Sequence, residues 1–357
     1  MSALRATFRL SSASEAILRN TRLRNLPPVL VALLAIFMAL LSQLALSQQI
    51  ASPLYEDLSR AYGYYNGQKL SIENVQKAYP ALAADASKAQ MEFELVFMSS
   101  YENIEKELRK MLGQRWAEYK NQMLQQIVNS LRLSHVSEVQ ATAFIQEVKL
   151  RAKGQIESPV LETLLTYNAQ FQSNPAEEFL RGFTSTYRTK GHAKAKGIDF
   201  QIQYPKSWRA KEGQRPNVIQ LITSENGRGF NSIVLMVKDI PLPPGYRITE
   251  RELNDLFSPQ SLKEMIPDGA SFVTSKAVVL DRQKGGMIVF DQAQQRVDTK
   301  ISMRSLQFVT VYRNKMIFVQ CMTTVPDGSH TVLNDRFRKM EPLFKLVANS
   351  FVIQSQY

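Results

Sequence analysis

Ile198-Asp-Phe-Gln-Ile-Gln-Tyr-Pro205 is the stretch from which the organisation of this chain is read. Ile198, Phe200, Ile202 and Tyr204 alternate with Asp199, Gln201 and Gln203. That two-residue period belongs to a strand with one buried face. Pro205 cannot donate to a ladder, so the strand stops there. Upstream, from Ser52 to about Tyr187, apolar residues recur every three or four positions instead, which is a helical period. The chain therefore changes secondary-structure type near Gly197.

Downstream the strand period persists. Val218–Thr223 and Ser232–Val237 read as further strands, and Ile248–Phe257 and Pro259–Ile266 as short helices. Four strands follow in near succession: Ser271–Leu280, Gly286–Gln292, Ser302–Tyr312 and Lys315–Thr324. Arg313-Asn314 leaves a two-residue hairpin connection, with Asn suited to a positive φ. A last helix runs from about Thr331 to Asn349. This order predicts an α+β fold in which helices flank an antiparallel sheet.

In the helical region, Phe97, Tyr101, Ile104, Leu108, Leu112, Trp116, Tyr119, Met123, Ile127 and Leu131 lie on one stripe. The spacing predicts one long amphipathic helix over about 82–131, with Gly113 as the place for a kink or split. Such a stripe is the inner seam of a helical bundle; the sharper alternative is a surface for a protein partner or self-association. Ser137–Lys153, Pro159–Ala169 and Pro175–Phe183 read as shorter helices, with Ser134 or Ser137, Ser158 and Asn174 as caps. Tyr187-Arg-Thr-Lys-Gly-His-Ala-Lys-Ala-Lys-Gly197 is small, basic and bounded by glycine, and 188–197 reads as a solvated linker. Its cations are not interleaved with aromatic residues beyond Tyr187, so no nucleic-acid partner is expected.

The 357 residues carry a net charge of +12, unevenly spread. Residues 1–48 hold five Arg and one Glu, 49–190 balance at 16 basic and 16 acidic, and 191–357 hold 23 basic against 15 acidic. The basic excess thus lies at the two ends. Val29–Leu41 is an unbroken apolar run of 13 residues that reaches 18 with Ser42–Leu46, and Arg5, Arg9, Arg19, Arg22 and Arg24 precede it. Residues 1–28 then form a basic tail held inside, and 29–47 a membrane anchor that sends the rest across. Ala45-Leu-Ser47 equally offers a small-x-small site, so the segment also fits a cleaved signal peptide. The expected place is a bacterial inner membrane with the bulk of the chain in the periplasm. The alternatives are a soluble periplasmic protein or an organelle lumen.

The chemistry-bearing residues are sparse. Cys321 is the one cysteine, so no intramolecular disulfide forms, and its alternating context reads as a buried structural thiol. His135, His192 and His330 lie in different segments, none with a second His or Cys at ligand spacing. Asn226-Gly-Arg-Gly229 lacks the Lys-Ser/Thr of a phosphate loop and reads as a turn. Asp327-Gly-Ser-His330 brings Ser, His and Asp together only as sequence neighbours, and Ser329 is the better cap for the last helix. No catalytic, cofactor or metal site is assigned.

Phe200-Gln-Ile-Gln-Tyr-Pro-Lys-Ser-Trp208, a strand entering a Tyr-Pro-x-x-Trp turn, resembles the opening of the PsbP/DcrB superfamily. Phe344-Lys-Leu-Val-Ala-Asn-Ser-Phe-Val352 is similar to its closing helix and strand, so the resemblance covers about 196–357. It implies a PsbP-like α/β/α sandwich in an exported or lumenal protein that binds or supports assembly and does not catalyse. The domain order expected is therefore tail and anchor, helical domain 52–187, linker 188–197 and PsbP-like domain 198–357. A membrane and a protein partner are expected, with the basic surface of the C-terminal domain offering anionic lipid as an alternative.

Overall fold

The computed structural model describes residues 52–132, 136–243, 245–296, 299–326 and 328–357. The tail 1–28, the apolar segment 29–47, Ser134, His135 and Asp327 lie outside these residues. Among the described residues no helix is long and apolar enough to cross a membrane.

The helical region opens with α1 (Pro53–Ala78), whose first turn is capped by Ser52 accepting from the Tyr55 amide. After it come α2 (Ala83–Leu112) and α3 (Trp116–Arg132), separated by a 3₁₀ turn at Gly113–Arg115. The single rod expected over 82–131 is thus two helices. Gly113 adopts φ 55° and ψ −125°, a backbone conformation open to glycine, which ends α2 and lets α3 fold back onto α1. Trp116 then meets Tyr62 edge-on at 5.5 Å, and Tyr119 meets Tyr55 at 6.0 Å. The stripe residues Phe97, Ile104, Leu108, Trp116, Met123 and Ile127 are buried in one core with Leu58 and Tyr62. The chain's own helices occupy the seam, which leaves no place in it for a partner helix.

Helix α4 (Glu138–Ala152) starts with a capping box between Ser137 and Gln140. The run Pro159–Ala169 forms α5 (Val160–Thr166), followed by α6 (Ala169–Ser173). The side-chain cap here is Asn168, which accepts from the Gln170 and Phe171 amides, and not Ser158. Helix α7 (Ala176–Leu180) has no side-chain cap, so Asn174 does not serve as one.

Residues 184–197 depart from the linker reading. Strand β1 (Thr184–Arg188) pairs antiparallel with β2 (Phe200–Pro205). Arg188 holds Asp199 through two hydrogen bonds of 3.1 and 2.7 Å, Ala195 is buried, and Lys196 binds Asp239. The small residues that suggested flexibility allow close packing on the sheet.

The remaining strands are β3 (Arg209–Glu212), β4 (Val218–Thr223), β5 (Asn231–Asp239), β6 (Ser271–Leu280), β7 (Gln283–Arg296), β8 (Thr299–Tyr312), β9 (Lys315–Val325) and β10 (Val352–Ile353). Helices α8 (Glu250–Leu256) and α9 (Pro259–Glu264) precede β6, and α10 (His330–Asn349) precedes β10. Seven strands form an antiparallel sheet in the order β3-β4-β5-β9-β8-β7-β6, and β1-β2-β10 form a small second sheet. Alternation divides the large sheet cleanly. Leu306, Phe308, Val319 and Cys321 face α10 and the small sheet, whereas Val309, Val311 and Phe318 face the side of α8 and α9. The result is a C-terminal sheet with helices on both faces. Both residues of the Arg313-Asn314 hairpin have positive φ, 47° and 58°, the twist that two-residue connections need.

Two glycines test this packing in opposite directions. A Cβ on Gly285 would sit 2.4 Å from the Val309 carbonyl oxygen of the paired strand. Gly285→Ala is expected to cost about 1–3 kcal/mol through overpacking. Gly67 lies inside α1 with no atom within 4 Å of an added Cβ. Gly67→Ala is expected to stabilise by about 0.5–1 kcal/mol, as measured by urea unfolding of both variants.

Candidate binding cleft

Four segments distant in sequence converge where the helical region meets the sheet. They are α5 to α7, the turn after β2, the loop between β4 and β5, and the first half of α10. An open cleft of about 490 Å³ lies between them.

Its floor is built around a buried carboxyl. Glu178, in the first turn of α7, is 4% exposed. Its Oε1 accepts from the Ser207 amide at 2.8 Å, and its Oε2 is hydrogen-bonded to Ser207 Oγ at 2.7 Å. Burial pushes its pKa up to about 7, and the hydrogen bonds from Ser207 only partly offset that. The pairing fixes the Pro205–Trp208 turn. Trp208 is thereby laid against Phe344 of α10, edge-on at 6.5 Å. Phe351 closes the same core against Phe200 at 5.1 Å.

The opposite wall is a left-handed turn. Glu225, Asn226 and Gly227 have φ of 54°, 52° and 87°. The Asn226 amide donates to the Ser207 carbonyl at 2.8 Å, so this turn is tied to the floor. Gly229 closes it, because a Cβ there would lie 2.1 Å from Ser224 Oγ. Arg228 reaches across to Asp57 of α1 at 3.3 Å and links the two regions. Phe230, 52% exposed, stands in the opening. Asn231 Oδ1 is buried on the same wall with no hydrogen-bond partner among the described residues.

Arg336 and Lys339 lie three residues apart on one exposed face of α10 and line the cleft. Neither has an ion-pair partner among the described residues. None of Glu178, Phe230, Arg336 and Lys339 stands out in the sequence, because each belongs to a short or ordinary amphipathic segment. Only the Tyr-Pro-x-x-Trp turn, which contains Ser207 and Trp208, signals the place.

The residues weighed for chemistry are spread elsewhere. His192 Nδ1 accepts from the Lys194 amide at 3.2 Å, and its Nε2 lies 3.8 Å from Glu212. His330 lies 3.4 Å from Asp291, but that carboxylate is already held by Arg304 through two hydrogen bonds of 2.6 and 2.7 Å. Ser329 Oγ caps α10 by accepting from the Val332 amide. Cys321 is fully buried, and burial pushes its thiol up, away from the thiolate a nucleophile needs.

A second surface feature lies on α2. Met91, Leu95 and Met98 follow at helical spacing and are 57%, 79% and 39% exposed. They form a short exposed apolar stripe, at whose end Met98 Sδ accepts from the hydroxyl of the core residue Tyr65 at 3.3 Å.

No family model matches the chain, and no curated relative matches it. Similar solved structures include cyanobacterial PsbP (CyanoP) from Synechocystis sp. PCC 6803, at 18% identity and TM-score 0.31, covering 48% of this chain and 92% of that one. Another is LpqN, involved in cell envelope biogenesis of Mycobacterium tuberculosis, at 13% identity and TM-score 0.28, covering 50% and 96%. A third is a protein of Bacteroides thetaiotaomicron VPI-5482, at 17% identity and TM-score 0.26, covering 43% and 45%. Each of these likenesses covers half of this chain or less, at a TM-score of 0.31 or below.

Glu178 gives a pH signature. The group ionises near 4.5 when unfolded and near 7 when folded, so the folded state holds the extra proton between those values. Stability therefore falls as pH rises through that window, by roughly 3 kcal/mol at about 1.4 kcal/mol per unit. Glu178→Gln keeps an acceptor for the Ser207 amide and adds a donor for Ser207 Oγ. It should flatten this slope, matching the parent at the acid end and exceeding it at pH 8, in urea titrations. Equal slopes for both proteins would contradict the assignment.

Proposed function

We propose that this chain is a non-enzymatic binding or assembly-support protein on the extracytoplasmic side of a membrane, acting through protein–protein contacts. The N-terminal segment 29–47 would carry it there as anchor or signal. The helical domain would serve as spacer and partner surface, and the PsbP-like domain as recognition module.

The observation that carries this reading is how the reactive side chains are used. Glu178 is bound to Ser207, Asp291 to Arg304, Ser329 to the start of α10, and Cys321 is packed in the core. Each is consumed in holding the fold. What the molecule presents outward is the open cleft with Arg336 and Lys339, and the apolar stripe on α2. Exposed methionine and leucine side chains at helical spacing suit a protein partner, since Met adapts to varied surfaces.

A second reading is adhesion to anionic lipid through the basic C-terminal domain. Residues 191–357 carry 23 basic against 15 acidic side chains, which favours it. Co-sedimentation with anionic vesicles that weakens as salt rises would support it over the first.

The first reading is tested with a photo-crosslinking amino acid at Leu95 in the full chain, in its native membrane. Covalent adducts with an envelope protein are expected. Leu95→Lys should lower capture of that protein several-fold while changing stability by less than about 0.5 kcal/mol, as befits an exposed site. An absence of any protein adduct would count against the proposal.

A further inference from the structure

The junction cleft has the chemistry of a site for a small anionic amphiphile. We infer that it binds a molecule with a carboxylate or phosphate head and a short apolar body; this rests on the reading of the chain as a binding protein.

Three features argue for that class. Its volume, about 490 Å³, falls in the range of sites that enclose a small molecule. Its lining includes the exposed ring of Phe230 and the edges of the largely buried Trp208 and Met340, apolar surfaces against which an acyl or aromatic body can lose its contact with water. It also includes Arg336 and Lys339, on the same helix as Met340, cations three residues apart that no carboxylate of the described residues neutralises. Glu178 does not compete for them, because its carboxyl faces Ser207 and stays in the floor. Glu225 is the other acidic residue on the lining, so the mouth keeps a positive excess. An anionic head on the two cations forms charge-assisted hydrogen bonds, stronger than those to a neutral group. A purely apolar ligand would leave the cations unused, and a bare inorganic anion would leave the aromatic wall unused.

Fluorescence reads this directly, because the chain has two tryptophans and only Trp208 lies in the cleft. The full chain, extracted with its surrounding lipid into polymer-bounded discs, is titrated with hexanoate, hexyl phosphate, hexanol and inorganic phosphate. The six-carbon probes are chosen to partition little into the discs. At least one anionic amphiphile should shift Trp208 emission saturably, while hexanol and inorganic phosphate bind at least about tenfold more weakly. Tighter binding of hexyl phosphate would point to a lipid phosphate head, and tighter binding of hexanoate to a free fatty acid. The double variant Arg336→Glu with Lys339→Glu should weaken the anions at least about tenfold with an unchanged unfolding midpoint, since both sites are exposed. Trp208→Phe should abolish the signal. Equal binding of hexanol, unchanged affinity in the charge-reversed variant, or no saturable response would each overturn the inference. Protein adducts at Leu95 without any amphiphile response would remove this inference and leave the binding function standing. Loss of both would remove the two together.

Discussion

The burial of the Glu178 carboxyl against Ser207 sets the geometry on which the rest depends. A carboxyl group removed from water loses its hydration, and an ionised one loses far more. The chain accommodates it with two hydrogen bonds from one residue, and with a pKa raised to about 7. In exchange a five-residue helix is fixed against the turn that ends β2 and carries Trp208 into the core. The direction in which Trp208 points, and hence how α10 packs, follows from that turn. The cleft exists because Asn226 binds the backbone of the same turn from the other side.

Much of the sheet was legible because strands announce themselves by period. The alternation in Ile198–Tyr204, the Arg313-Asn314 connection and the Ser329 cap each appear close to where local chemistry puts them. Local rules decided those positions, so local reading sufficed. The helical stripe was legible as a stripe, but its use was not. Periodicity shows that one face is apolar and does not show what covers it. Here the positive φ of Gly113 turns α3 back, and the chain covers its own seam.

Sequence and structure diverge where burial does not follow hydrophobicity. Residues 188–197 look solvated because they are small and charged, yet Ala195 and Thr189 are buried, and the Lys196 ammonium reaches Asp239. Amphipathic lysines cover apolar ground while keeping their heads in water, which composition alone cannot separate from a linker. Glu178 is the extreme case. Nothing around it in sequence distinguishes it from Glu177, which is part-exposed one position earlier. Its role comes from a residue 29 positions away. The cleft was invisible for the same reason: its walls come from four segments whose meeting is a tertiary event.

The helical region and the sheet meet where Arg228 pairs with Asp57 and where α5 packs on the 224–227 turn, and α7, whose Ala176 lies in the sheet core, holds Ser207 through Glu178. These contacts are expected to make the two parts unfold together. Each part carries one tryptophan, Trp116 in the helical core and Trp208 in the sheet core, so the claim can be read separately on each side. The most direct measurement is urea unfolding of the full chain as Trp116→Phe and as Trp208→Phe, following the remaining tryptophan together with far-ultraviolet circular dichroism. Coincident transitions for the two probes within each variant, separating once Glu178→Ala is added, are what the account predicts. Separate transitions with Glu178 in place would contradict it.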